Sequence, residues 1–245
     1  MMKLLYMGCL SRANFPEMCE NAKRIVNFLD SEFEVLNKVP CCGSLLHNTS
    51  TSQDQSNYMS EVYEWFKTNN ISEMVTICAG CYNYLTRYYP EQFSEFNIKI
   101  QHLIQFISEP QNLEKMNLEY TGKKLTITYH DACHLRNARK PIIEEPRHIL
   151  SSIKGIKYKE MDNNREESFC CGSGGGVYSS FKENSDYNSR LILDQAKRAK
   201  LLLTACPFCY TALQRVNEQY KRSRTTVMKF EDFIVKLMEG SELEV

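Results

Sequence analysis

Apolar residues in this chain recur in short blocks, each ending near a cysteine and followed by an amphipathic stretch. Residues 3–8 form the first block and run into Cys9; a short apolar run of this kind reads as a buried strand. From Pro16 to about Asp30 the apolar positions Met18, Ala22, Val26 and Leu29 fall at helical spacing, with Pro16 in the first turn. Residues 33–36 predict a second strand leading into Cys41-Cys42-Gly43, and the polar stretch 50–56 opens a helix through Tyr63, Trp65 and Phe66. Residues 74–77 predict a third strand ending at Cys78-Ala79-Gly80-Cys81, a helix starts at Tyr82, and 98–107 reads as a further strand–helix unit. Residues 109–123 are polar and aperiodic, which suits a linker.

Beyond that stretch the order recurs. Residues 125–129 predict a strand running into His130-Asp131-Ala132-Cys133, then come a helix over 145–152, a strand near 156–160 and Cys170-Cys171-Gly172. A helix over 186–198, a strand over 201–205, Cys206-Pro207-Phe208-Cys209, a helix from Tyr210 and a closing segment at 227–237 complete the second half. Cys133, Cys170 and Cys206 trail Cys9, Cys41 and Cys78 by 124, 129 and 128 residues, and Phe233-Ile234 trails Phe106-Ile107 by 127. The expected fold is therefore α/β: two duplicated Rossmann-like domains with mainly parallel sheets, over 1–115 and 123–245, in pseudo-twofold relation. In such sheets ligands bind at the carboxyl ends of strands, where nearly every cysteine group falls.

At 245 residues the chain can bury a substantial core. Lys plus Arg number 30, as do Asp plus Glu, so no basic surface for nucleic acid is expected. The longest apolar runs fall well short of the roughly 18 residues of a membrane span, and the first block is too short for an export segment. A soluble cytoplasmic protein is expected, associated with membranes only through partners. Eleven cysteines without an export signal point to metal binding or redox catalysis rather than a disulfide framework.

Two adjacent thiols followed by glycine do not read as core packing, because neighbouring side chains diverge on a strand or helix. Both sulfurs reach one place only if the backbone turns sharply, which glycine permits. Each half supplies five thiols, Cys9, Cys41, Cys42, Cys78 and Cys81, then Cys133, Cys170, Cys171, Cys206 and Cys209. Cys19 stands apart on an amphipathic helix and reads as a buried thiol. Cys-x-x-Cys presents two thiolates to one metal, as in zinc and iron–sulfur sites. Four thiolates complete a structural zinc or a cubane cluster, so five imply a larger, less symmetric assembly or a thiolate kept for chemistry. Spacing does not choose between these.

The pattern Cys-x(31)-Cys-Cys-Gly-x(34)-Cys-x-x-Cys, followed by Cys-x(36)-Cys-Cys-Gly-x(33)-Cys-x-x-Cys, resembles the cysteine-rich CCG domain. Supporting stretches are Thr128-Tyr129-His130-Asp131-Ala132-Cys133-His134, Phe169-Cys170-Cys171-Gly172-Ser173-Gly174-Gly175-Gly176 and Ala205-Cys206-Pro207-Phe208-Cys209. That domain occurs twice in the B-type and D-type polypeptides of heterodisulfide reductase and in the iron–sulfur subunits of glycolate and lactate oxidases. The resemblance implies that each five-cysteine set holds a noncubane [4Fe–4S] cluster, with zinc as an alternative occupant of one site. It implies an oxidoreductase acting on a thiol or disulfide within a multi-subunit complex, each cluster delivering one electron, and clusters facing each other near the interface between the halves. A ferredoxin-like iron–sulfur subunit and a flavoprotein are the expected partners, and a thiol or disulfide the small-molecule substrate. Because the chain starts directly at the first repeat, it resembles the stand-alone B-type arrangement, whereas its first loop, Cys41 to His47, is closer to the D-type and oxidase families.

Two other functions fit the same motifs: an electron-transfer subunit of a flavin-dependent lactate, glycolate or succinate dehydrogenase, and a zinc-binding structural module. His130 and His134 flank Cys133 and are the candidate catalytic groups, able to supply protons to a thiolate product or a hydrogen bond to a cluster sulfide. His47 is a weaker candidate, and Glu166 and Glu167 are expected to face solvent or cap their loop. Gly174 to Gly176 match no phosphate-binding pattern and are expected to turn the chain beside a cluster.

Overall fold

The structure, a computed structural model, describes residues 1–220 and 224–243; residues 221–223 and 244–245 of the predicted second unit lie outside the described residues. The first half runs β1 (Met2–Tyr6), α1 (Cys9–Asn14), α2 (Pro16–Leu29), β2 (Phe33–Glu34), α3 (Ser44–Thr49), α4 (Ser52–Thr68), β3 (Ile71–Thr76), α5 (Ala79–Gln92), β4 (Lys99–His102), α6 (Leu103–Ser108) and α7 (Pro110–Met116). The second runs β5 (Leu125–Tyr129), α8 (Cys133–Arg136), α9 (Glu145–Ser152), β6 (Ile156–Tyr158), α10 (Val177–Ser180), α11 (Lys182–Ala196), β7 (Leu201–Thr204), α12 (Pro207–Tyr220), β8 (Thr226–Lys229) and α13 (Phe230–Met238).

Each half forms a four-stranded, wholly parallel sheet, in the orders β2-β1-β3-β4 and β6-β5-β7-β8. Parallel strands covered on both faces are apolar throughout rather than alternating, and β7 is buried at all four positions. The predicted duplication of a Rossmann-like α/β unit is therefore present in the tertiary structure. In both halves the order reverses direction between the first and third strands, at β1/β3 and β5/β7. The carboxyl ends of such a pair are where doubly wound sheets leave a crevice.

The halves are joined reciprocally: α13 of the second lies on α2 of the first, and α6 of the first lies on α9 of the second. Helix α2 begins with Pro16 in its first turn and turns Met18, Ala22, Ile25, Val26 and Leu29 inward. Phe233 and Ile234 of α13 are wholly buried in the same cluster, which extends continuously through both halves. Each such side chain contributes about 1.5–3 kcal/mol of burial free energy. A second cluster, with Met59, Phe66 and Tyr89, belongs to the first half alone.

The stretch that reads as a linker is not one. Residues 110–116 form α7, Met116 and Leu118 are buried, and Glu119 bridges to Lys154 of the second half. Its polarity is misleading because polar side chains anchor it: Asn112 Nδ2 donates to the Phe106 carbonyl at 2.7 Å and Lys115 Nζ to that of Leu29 at 3.2 Å. Among the described residues no helix is long and apolar enough to cross a membrane.

Candidate metal centre

Four helices start at the cysteines. Cys9 opens α1 just after β1, and Cys133 opens α8 just after β5. Cys78 caps α5 with Cys81 in its first turn, where the sequence predicts the helix to begin only at Tyr82. Cys206 and Cys209 bracket the start of α12 in the same way. Residues three apart share a helix face, so each Cys-x-x-Cys aims two sulfurs one way. Gly43 (φ +91°) and Gly172 (φ +69°) supply the left-handed turn after each adjacent pair. A side chain would also be crowded there: a Cβ on Gly172 would sit 3.2 Å from the Ser185 Cα.

The turn gathers the sulfurs of a half in one pattern used twice. Cys9 Sγ lies 3.4 Å from Cys41 Sγ, and Cys133 Sγ lies 3.6 Å from Cys170 Sγ. Cys42 shares a hydrogen bond with Cys81, as Cys171 does with Cys209 at 3.3 Å. In each set two thiols are at least partly open to solvent (Cys9 and Cys41; Cys133 and Cys170) and three are buried.

Sulfurs this close cannot all ionise unaided. Thiol hydrogen bonds from Cys41 and Cys81 draw Cys42 down to about 5, while Cys9 and Cys81 are driven up by the hydrogen bonds they share with Cys41 and Cys42. In the second set the side-chain hydrogen bonds that Cys170 shares with Cys133 and Cys171 pull it far down, Cys133 rises, and Cys171 is pushed up to about 12. Five thiolates in contact become compatible only around a multiply positive group. A single four-coordinate zinc would leave one sulfur of each five over. The donor set fits an iron–sulfur group.

Two residues without any signal in the motifs hold the cysteine loops. Arg12 donates to the carbonyls of Val39 (2.8 Å) and Asn37 (3.4 Å), ahead of Cys41. Arg136 donates to those of Ser168, ahead of Cys170, and Asp131 (3.4 Å). Both stand three residues after the first cysteine of their set, so the subtraction that reveals the repeat would also find them. Arg136→Ala is expected to lower stability by about 1.5–3 kcal/mol because its hydrogen bonds are half-buried. Arg12→Ala, at an exposed site, should cost about 1 kcal/mol or less. Chemical denaturation of the two variants checks the ranking.

A further clamp belongs to the second half. Asp131 is 1% exposed and takes both guanidinium nitrogens of Arg147, at 2.8 and 2.9 Å, plus the Arg165 backbone N–H at 2.8 Å. Arg147 also reaches Glu160, and Arg165 reaches Glu144 and Glu160. Arg165 sits at φ +53° in the turn before Cys170, a backbone conformation that this network holds in place. Glu166 and Glu167, beside it, are exposed as expected.

The histidines separate. His134 crosses the interface: its Nδ1 would lie 3.7 Å from a Cβ on Gly80, inside the Cys78-x-x-Cys81 turn, and its ring also borders Gly174. It lines a cavity of about 370 Å³ with all five cysteines of the first set and Leu45 of the first half, together with Gly175 and Phe208 of the second. His130 is fully buried away from that cavity, 3.4 Å from Ser168 Oγ, and burial draws it down to about 4. His47 stacks against Tyr84 and Tyr88 and bonds Gln55 at 2.5 Å. Cys19 is buried in α2, outside both sets.

The family model described as "Cysteine-rich domain" matches twice, over residues 4–86 and 127–214. An uncharacterized iron–sulfur protein of Methanococcus maripaludis is 32% identical over 207 residues, 83% of this chain and 39% of that protein. The D-type polypeptide of the dihydromethanophenazine:CoB–CoM heterodisulfide reductase of Methanosarcina acetivorans is 29% identical over 98% of this chain and 59% of its own length. A probable glycolate oxidase iron–sulfur subunit of Bacillus subtilis is 26% identical over 83% of this chain and 47% of its own. The chain thus spans less than two thirds of each of these relatives. With the motif, the sheet order and the sulfur pairing repeated in both halves, this chain belongs to the CCG cysteine-rich domain family and is related to the iron–sulfur subunits of heterodisulfide reductase and other oxidoreductases.

Proposed function

We propose that this chain is the iron–sulfur redox module of a heterodisulfide-reductase-like complex. Cys9, Cys41, Cys42, Cys78 and Cys81 hold one noncubane [4Fe–4S] cluster, and Cys133, Cys170, Cys171, Cys206 and Cys209 hold the other. Bound there, such clusters would supply two single electrons, one each, for reduction of a disulfide to two thiols. The observation carrying this reading is the five-sulfur arrangement built twice, with Cys9 Sγ 3.4 Å from Cys41 Sγ and Cys133 Sγ 3.6 Å from Cys170 Sγ. The cavity of about 370 Å³ lined by all five cysteines of the first set is where the cluster would sit, with His134, Gly175 and Phe208 at its edge.

The residues divide the work. Leu45 and Phe208 give the cavity an apolar lining. The open thiols Cys9 and Cys41 place their half of the metal site against the cavity. His134 stands at the cavity wall, where its ring can relay a proton from solvent to a departing thiolate; burial pulls its pKa down and favours the neutral ring between transfers. Electrons arrive from a ferredoxin-like protein, with a flavoprotein further upstream.

Metal and acid-labile sulfide analysis of anaerobically purified protein, with electron paramagnetic resonance after oxidation in the presence of thiols, tests the reading. About eight irons and eight sulfides per chain are expected, the content of two Cys-held [4Fe–4S] groups, with a paramagnetic signal induced by thiol. A full cluster content that no thiol perturbs would favour the alternative carried by the glycolate-oxidase relative, electron transfer to or from a flavin dehydrogenase. Zinc without sulfide would leave only a structural module.

A further inference from the structure

The carbonyl of the second cysteine in each adjacent pair receives a buried hydroxyl. Tyr89 Oη of α5 donates to the Cys42 carbonyl at 3.0 Å, and Ser185 Oγ of α11 donates to the Cys171 carbonyl at 3.0 Å. Both donors are 0% exposed. A hydroxyl shut away from water needs a partner inside the protein, but that need does not direct both to the same carbonyl of the repeat.

The two donors are not counterparts. At the offset of 129 that aligns Cys41 with Cys170, Ser185 corresponds to Ser56 of α4. At the offset of 128 that aligns Cys78 with Cys206, Tyr89 corresponds to Asn217 of α12. Ser56 instead accepts from Gln92, and Asn217 donates to the Thr225 carbonyl at 2.9 Å. The bond recurs while the residue and the helix supplying it change. Duplication of the frame does not account for that; a shared role for the carbonyl does.

That carbonyl belongs to the peptide whose N–H is carried by the following glycine. Gly172 N–H donates to Cys170 Sγ at 3.4 Å, and in the first half Gly43 N–H bonds the Cys41 sulfur. A donor on a carbonyl polarises its peptide and strengthens the bond made by the N–H of the same unit. Each buried hydroxyl is therefore joined to a sulfur through one peptide. Ser185 acts through Cys171–Gly172 on Cys170, and Tyr89 through Cys42–Gly43 on Cys41. Both of those sulfurs belong to the thiols at least partly open to solvent.

We propose that Tyr89 and Ser185 are positioning residues that set the reduction potentials of the first and second cysteine sets, each acting on one sulfur through the Cys–Gly peptide between them. This rests on reading the sets as iron–sulfur sites. Hydrogen bonds to the sulfurs of such a group help to set its potential. Reduction adds negative charge, so a stronger donor on a sulfur raises the potential. Only the strength of an existing hydrogen bond is involved, and no covalent bond forms or breaks.

The test measures reduction potentials of the iron-loaded full chain, followed by electron paramagnetic resonance, in the wild type, Tyr89→Phe and Ser185→Ala. Each variant loses one hydroxyl, so one set should become harder to reduce while the other keeps its wild-type value. The expected change is roughly tenfold in equilibrium constant, or 59 mV for one electron. Tyr58→Phe is the control: its phenol donates to the Cys41 carbonyl at 3.0 Å, one peptide earlier, so it loosens the same loop outside the bridge. It should leave both potentials unchanged. Unchanged potentials in Tyr89→Phe and Ser185→Ala at full iron content, or an equal shift in Tyr58→Phe, overturn the proposal. Loss of iron from the two variants also overturns it, because the hydroxyls would then only hold the loop in shape. A wild-type chain without iron and sulfide overturns the iron–sulfur reading itself, and the bridge is then judged separately in the metal-free full chain labelled with ¹⁵N-glycine. There the Gly172 amide proton should move upfield in Ser185→Ala and that of Gly43 in Tyr89→Phe, each without the other; no movement refutes the bridge.

Discussion

Cys42→Ser and Cys171→Ser are each expected to remove about half of the bound iron and sulfide, and the double variant nearly all of it. Both thiols are 2% exposed and each pairs with the last cysteine of its set. A serine hydroxyl is harder and far less acidic than a thiol, so it does not replace a thiolate on iron. The loss should be confined to one set, because the sets share no cysteine and each has its own pair of helix starts. Cys19→Ser is the control: it lies within α2 and should leave iron content unchanged. Iron and sulfide per chain, measured on anaerobically prepared variants, decide the matter. Equal losses from Cys19→Ser would refute the ligand assignment.

Arg147→Met is expected to destabilise the chain by about 3–5 kcal/mol, because it strands a buried charge rather than merely deleting an ion pair. Asp131 would lose two hydrogen bonds and keep the one from the Arg165 backbone N–H. For a chain of this size the loss corresponds to a melting temperature lower by on the order of 10 °C. Thermal melts of Arg147→Met, Asp131→Leu and the double variant form a cycle. The double should recover much of the loss, since two apolar side chains leave no orphaned charge. Additive losses would show that the pair is not the unit supporting the turn before Cys170.

Several elements are legible from local pattern alone. Helix α2 is framed by Pro16 and carries an unbroken apolar stripe, and β5 and α9 lie at 125–129 and 145–152 as expected. The apolar spacing shows α11 only from residue 186, four residues late, because its first buried positions are serines. Ser185 and Ser189 pack inward and Ser185 Oγ donates to the Cys171 carbonyl at 3.0 Å, so the face touching the Cys170-Cys171 loop is polar. Helix α5 likewise starts earlier than its pattern suggests, since its first turn is the Cys78-x-x-Cys81 motif. A small, cysteine-containing turn has no apolar period to read.

The repeat, the parallel α/β units and the membership of each five-thiol set follow from the order of residues alone. These are local or periodic properties, carried by spacing, by apolar blocks and by glycine after each cysteine pair. Contacts that cross between the halves are a different matter, and folding in three dimensions was needed to reveal them. His134 enters the first set's cavity while His130 stays buried, and residues 110–116 become a helix. The reason is physical: period and propensity report which face of an element is buried, but not which partner buries it. That choice is made by the packing of α13 on α2 and α6 on α9, between residues far apart in the chain.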